Sequence, residues 1–199
     1  MPELPEVETI KRTLAPKIQG KKITDVEVFC AKAIEPLSDQ AFRQAVKGAF
    51  IQSLERRGKY LLMHLYSMYT LVISLRMTGR LIFIPCGEEV PVDKHVHLVF
   101  KFKDGSHLCF SDIRKFGRVH CVPKDKVEHE SEISKLGPEP LEQNFSEQKL
   151  RKMLLPKRKK IKQLLMDQTF IAGIGNIYSD EILFAAKIYP ARPAKALTE

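Results

Sequence analysis

The sequence predicts an α+β chain: an antiparallel β-sandwich or barrel with a leading helix, followed by a small helical domain. Three observations predict it. Leu4, Val7, Ile10 and Leu14, spaced 3, 3 and 4 apart, mark one face of a helix at the start. Short β-branched and aromatic runs, separated by turn signals, occupy residues ~23 to ~122. Beyond 124 the charge changes and the apolar spacing turns helical.

In the first helix Pro5 suits the first turn, where its missing N–H is no loss. Glu3, Glu6 and Glu8 sit favourably at the positive end of the dipole. Strands are expected at Ile23–Phe29, Leu61–Tyr66, Leu71–Leu75, Leu81–Ile84, Val96–Phe102, Leu108–Phe110 and Val119–Val122, with one helix around Asp39–Lys47 between them. Turns such as Lys103-Asp104-Gly105-Ser106 separate the runs. Between Asp125 and Glu147 stand seven acidic and two basic residues around Gly137-Pro138-Glu139-Pro140, a linker composition. Helical patterns follow at ~146–155, ~159–166 and ~176–187. The expected division is therefore 1–124, a linker at 125–145, and a helical domain at 146–199.

Composition narrows the function classes. Thirty-three Lys and Arg against 24 Asp and Glu leave a formal charge of +9, which favours a polyanionic partner. No apolar run approaches the ~20 residues of a bilayer-spanning helix, and MPELPEVETI has neither the basic nor the apolar region of a signal peptide. Cys30, Cys86, Cys109 and Cys121 form no C-x-x-C pair, which argues against a zinc site and a disulfide scaffold and for a reducing setting. His95 and His97, two apart on an expected strand, would share a face, but a third ligand is missing, so no metal is expected there.

Three groups carry candidate chemistry. Removal of Met1 would leave Pro2 with a free secondary amine, and an α-amino group titrates at ~7.7–8.0 against ~10.4 for lysine. The neutral amine can attack an anomeric carbon, with Glu3 and Glu6 beside it to move protons. The same residues also serve as plain helix punctuation, which is the commoner reason for such a pattern. Basic residues form the second group: Arg56, Arg57 and Lys59 around Gly58; Arg114, Lys115 and Arg118 around Phe116; and seven cations with no acid in 151–162. Cations interleaved with an aromatic suit phosphates and base stacks. Third, Gly173-Ile174-Gly175-Asn176 precedes a helix, where free N–H groups bind anions and Asn176 either caps the helix or donates to a phosphate.

Five ordered blocks then fall together: Met1-Pro2-Glu3-Leu4-Pro5-Glu6-Val7-Glu8, Arg56-Arg57-Gly58-Lys59-Tyr60, Leu75-Arg76-Met77-Thr78-Gly79, Asp112-Ile113-Arg114-Lys115-Phe116-Gly117, and Lys162 to Phe184 with Asp167-Gln168 and Gly173-Ile174-Gly175-Asn176-Ile177-Tyr178. Over essentially its whole length the chain resembles formamidopyrimidine-DNA glycosylase, the bacterial base-excision enzyme for oxidised purines. The resemblance implies an N-terminal antiparallel β-sandwich with a leading helix and a partial helix–two-turn–helix domain, with DNA across the cleft between them. It implies a DNA glycosylase with abasic-site lyase activity, acting as a monomer in the bacterial cytoplasm on double-stranded DNA with an oxidised base or abasic site. By this resemblance Pro2 is the nucleophile, Glu3 and Glu6 assist proton transfer, and Lys59 acts in elimination.

Met77, Arg114 and Phe116 look like the trio that fills the gap left by the everted nucleotide. Arg158, Lys162, Asn176 and Tyr178 fall where the family holds phosphates, and His95 lies beside the position of a family histidine that touches DNA. Arg-Lys-Phe and the Glu-Leu-Pro-Glu opening favour the purine-lesion branch over the endonuclease VIII-like branch. The family's four-cysteine zinc ribbon and lesion-covering loop have no counterpart here, so no cofactor is expected in this chain. A DNA-binding remnant with little turnover stands as the alternative.

Overall fold

A computed structural model describes residues 2–91, 93–130 and 132–197, the side chain of Glu130 excepted. The chain divides into two compact units, Met1–Ser134 and Lys135–Glu199. The first is a sandwich of two four-stranded sheets. One sheet has the order β1 (Ile23–Val28), β6 (Val96–Phe102), β7 (His107–Asp112), β5 (Gly79–Ile84). The other has the order β2 (Ile51–Arg57), β3 (Tyr60–Leu65), β4 (Tyr69–Ser74), β8 (Arg118–Pro123). Every named pairing is antiparallel.

The core is built by inward residues of both sheets, among them Leu61, Met63, Leu71, Ile73, Phe100, Leu108 and Phe110. Helix α1 (Leu4–Ile18) adds Val7, Leu14 and Ile18; α2 (Asp39–Val46) adds Phe42 and Val46. Helix α1 runs past the expected end near 15 and through Pro16 because its apolar stripe continues to the fully buried Ile18. Burying an isoleucine contributes ~1.5–3 kcal/mol, comparable with the ~3 kcal/mol cost of an in-helix proline. Strand β2 is absent from the expected series. Its buried positions, Ile51 and Leu54, lie three apart, because the pairing with β3 shifts register between Ile51 and Ser53. Such an irregularity erases the period-two signal that marks a strand.

The expected linker begins at 125, but the first unit reaches Ser134, and its last part holds short helical turns, including α3 (Val127–Glu130) and a 3₁₀ turn at Glu132–Lys135. Gly137-Pro138-Glu139-Pro140 packs into the second unit rather than running as a tether. Gly137 N–H donates to the Gln168 carbonyl (2.8 Å), the Pro138 carbonyl accepts from Ala172 (3.0 Å), and Glu139 is buried. A Cβ on Gly137 would stand 2.5 Å from the Phe170 backbone, so the close approach requires glycine.

The second unit holds α4 (Glu147–Leu154), α5 (Ile161–Leu165) and α6 (Asn176–Ala185) around Ile161, Leu164, Leu165, Phe170, Ile171, Ile174 and Leu183. Ser146 caps α4 by accepting from Lys149 N–H. Helix α6 stops two residues before the expected end. Lys187 adopts φ +55°, its N–H donates to the Phe184 carbonyl, and Ile188 N–H donates to Leu183, a pattern that closes the helix. No described helix is long and apolar enough to cross a membrane.

Candidate nucleic-acid interface and active site

The start of α1 gathers the first set of site residues. Pro2 is half-buried just outside the helix, Glu3 is its buried N-cap, and Glu6 is exposed in its first turn. Glu6 Oε2 accepts from the Glu3 N–H at 2.8 Å, so Glu6 helps fix the backbone on which Pro2 stands. Lys59 joins this set from the two-residue turn between β2 and β3, where Gly58 supplies the left-handed corner at φ +55°. Burial pulls the Lys59 pKa below the ordinary lysine range, and the charges of Glu3 and Glu6 partly oppose the shift. The charges of both carboxylates are thus felt at Lys59.

Arg56 secures the arrangement. Its Nε donates to Glu8 Oε2 (3.1 Å) and its Nη1 donates to the Gly58 carbonyl (3.1 Å), so one guanidinium ties α1 to the turn that carries Lys59. Glu8 is also held by Lys11 and Arg12, both at 2.8 Å. Burial raises its pKa, but hydrogen bonds from Lys11, Arg12 and Arg56 outweigh that and hold it at about 2. Arg56, expected among the basic residues around Gly58, has its charge engaged by Glu8.

The loops β4–β5 and β7–β8 bring Met77, Arg114 and Phe116 together. Arg114 Nη1 lies 2.9 Å from Met77 Sδ, and its guanidinium carbon sits 5.0 Å from the Phe116 ring centroid. Met77 and Phe116 are each about half exposed, at 49% and 47%, which is a costly presentation of apolar surface unless something covers it. Both loops contain a left-handed non-glycine residue, Arg76 at φ +49° and Lys115 at φ +57°. Such conformations persist only where the surroundings impose them.

Asp112 imposes the second. Buried at the end of β7, it accepts from the amides of Arg114 (3.1 Å), Phe116 (2.8 Å) and Gly117 (2.7 Å), and from the Thr78 hydroxyl of the other loop. Burial raises its pKa, yet these hydrogen bonds hold the carboxyl below the usual aspartate range. Beside the trio lies a concavity of about 560 Å³ lined by Arg76, Met77, Phe116, Arg118, His120 and Glu132.

His95 sits before β6, half-buried, its carbonyl accepting from Asp112 N–H at 2.9 Å, so it flanks the same loop. His97 does not share its face. The ladder shifts register between Val96 and Leu98, and His97 is buried with Nε2 2.7 Å from the Asp112 carbonyl.

In the second unit Arg158 is exposed, and Lys162 on α5 pairs with Asp180 on α6 at 2.8 Å. Gly175 is the N-cap of α6, so Asn176 stands at its first helical position, exposed, and does not cap it. Tyr178 is half-buried against the apolar core of this unit. Gln168 shapes the preceding loop. Its Oε1 accepts from Gly173 N–H (3.0 Å), its Nε2 donates to the Ile174 carbonyl (2.6 Å), and Gly173 turns at φ +91°.

Among the described residues no group of three or more His, Cys, Asp or Glu fits a metal ion. Burial pushes the Cys109 thiol up to about 11 and the Cys121 thiol to about 12, so both stay protonated at neutral pH.

Residues 1–119 match the model for the formamidopyrimidine-DNA glycosylase N-terminal domain, and 136–199 match the H2TH domain of the same enzymes. The chain belongs to the formamidopyrimidine-DNA glycosylase family. The Desulforamulus reducens formamidopyrimidine-DNA glycosylase is 49% identical over the whole chain, which spans 71% of that relative. A complex of the Lactococcus lactis Fpg with DNA containing an abasic site superposes with a TM-score of 0.91 at 38% identity, over 99% of this chain and 71% of that one. MutM in complex with DNA containing carbocyclic 8-oxo-G gives 0.91 at 38% identity, over 100% and 73%. The enzyme class is thus a DNA glycosylase of base-excision repair.

In this chain, sequence reasoning missed the residues that hold the site together: Asp112, the Glu8–Arg56 link, Gln168, and Glu132 beside Tyr60 and Arg76. Asp112 has a readable signal, since an aspartate opening a turn satisfies amides a few residues on. Gln168 acts on a loop five and six residues on, whereas the Glu8–Arg56 and Glu132 pairings are long-range and have no local signature.

Proposed function

We propose that this glycosylase removes oxidised purines, 8-oxoguanine and formamidopyrimidines, from double-stranded DNA through a Schiff base at Pro2, and then nicks the abasic strand. The convergence of Pro2, Glu3, Glu6 and Lys59 at one end of α1 carries this reading. The reading requires Met1 to be excised; Met1 lies outside the described residues. The neutral imino nitrogen of Pro2 attacks C1′ and the glycosidic bond breaks, the departing base taking a proton. Glu3 protonates the ring oxygen as the sugar opens, giving an iminium. A proton then leaves C2′ and the 3′ phosphate departs, with Lys59 in elimination and on a phosphate. Met77, Arg114 and Phe116 occupy the vacated stack, which costs roughly a few kcal/mol of unstacking.

In this reading His95 stands at the edge of the interface, while Arg158, Lys162, Asn176 and Tyr178 hold the backbone.

Borohydride trapping on an 8-oxoguanine duplex tests the proposal. Met-free protein is expected to give a covalent adduct, and Pro2→Gly to lose most of it while duplex affinity holds. Adducts mapped to an interior lysine would reject Pro2 as the nucleophile. Faster excision of an oxidised pyrimidine than of 8-oxoguanine would reject the purine preference.

A further inference from the structure

Tyr60 follows Lys59 in the chain, and Arg76 precedes Met77. Tyr60 also pairs with Ser74 across β3 and β4, so the Lys59 turn and the Met77 loop leave the same end of one sheet. Both neighbours meet a single carboxylate. Glu132 Oε2 accepts from the Tyr60 hydroxyl at 2.7 Å, and the two Glu132 oxygens lie 3.3 and 3.2 Å from Arg76 Nη2. Burial, and then the hydrogen bond to Glu132, push the Tyr60 hydroxyl up to about 12, so it stays a donor at neutral pH.

An exposed ion pair alone does little. This one differs in two respects: its carboxylate is shared with a phenol, and its arginine is the left-handed residue of the Met77 loop. Asp112 holds that loop through Thr78 and the ladder pairing with Gly79, on the C-terminal side of Met77. On the N-terminal side of Met77, Arg76 carries the side-chain link to Glu132.

We propose that Glu132 is a positioning residue, whose carboxylate clamps Tyr60 and Arg76 together and so sets where Met77 stands relative to Lys59. The geometry stands by itself; its catalytic meaning rests on the function proposed above. Gap filling by Met77 and chemistry at the Lys59 turn are thereby joined through one side chain.

Methionine-methyl NMR of the whole chain, together with single-turnover excision, tests this. Glu132→Ala is expected to loosen and shift the Met77 methyl signal while that of Met63, fully buried in the sandwich, holds. Glu132→Gln, which keeps an acceptor for Tyr60 but loses the charge facing Arg76, should fall between. Excision from an 8-oxoguanine duplex should slow about three- to tenfold with duplex Kd changed less than about twofold. In a Met77→Ala background the same substitution should slow it no further.

An unmoved Met77 signal, equal loosening of Met63, or full additivity with Met77→Ala would each overturn the assignment. Wild-type protein that neither excises nor traps would instead reject the proposed function, and the methyl comparison would still decide Glu132.

Discussion

Asp112 concentrates more of the interface than any residue that touches its surface. Its carboxylate satisfies three amides of the Arg114–Gly117 turn and the Thr78 hydroxyl. Hydrogen bonds to a charged group contribute ~1.5–3 kcal/mol each before the cost of burying the charge. Replacing Asp112 by Asn should destabilise the first unit by about 2–3 kcal/mol at neutral pH, measured by urea unfolding. The pH dependence has a definite sign. The folded pKa lies below the unfolded value of ~3.9, so the stabilisation is complete above that value. It is lost as pH falls from there through the folded pKa, where wild type and Asp112→Asn should converge. A gap between the two that stays constant down to acid pH would show that ionisation of Asp112 is not what holds the turn.

At the scale of elements, the decisive relation is between α1 and the β2–β3 hairpin. The helix carries Pro2, Glu3 and Glu6, the hairpin carries Lys59, and Arg56 joins them through Glu8 and Gly58. Arg56→Met keeps much of the side-chain bulk and removes the link. It should slow borohydride trapping about fivefold, the consequence of ~1 kcal/mol of lost alignment. The salt dependence of duplex binding should stay as it is, since Arg56 is engaged with Glu8; a shallower salt slope with normal trapping would return Arg56 to the phosphate contacts. Most elements were legible in the chain because burial imposes a period: α1, α2, seven of the strands and α4–α6 follow their apolar spacing. Strand β2 escaped because an irregular pairing sets its buried residues three apart. The reach of α1 to Ile18 escaped because a proline usually signals a helix end.

For the molecule as a whole, a net charge of +9 is spread over both units and suits a polyanion, but only some cations are available to one. Arg158 is exposed, and Lys162 shares its charge with Asp180. If both hold phosphates, each alanine substitution should lower the slope of log K against log salt by about 0.9. Filter binding across a salt series measures it, and an unchanged slope for either would place that side chain in solvent.

The sequence alone determined the α+β class, the family through its five blocks, and the identity of the groups that carry chemistry, because residue type and short-range spacing are written locally. Tertiary structure decided which charges are engaged, which histidine is buried, and how the Gly137–Pro140 segment packs. It also decided which carboxylates — Asp112, Glu8 and Glu132 — hold the site in shape. The Asp112–Thr78, Glu8–Arg56 and Glu132–Tyr60 pairings join residues 34 to 72 positions apart, fixed only when the sheets close and burial makes each unpaired polar group costly.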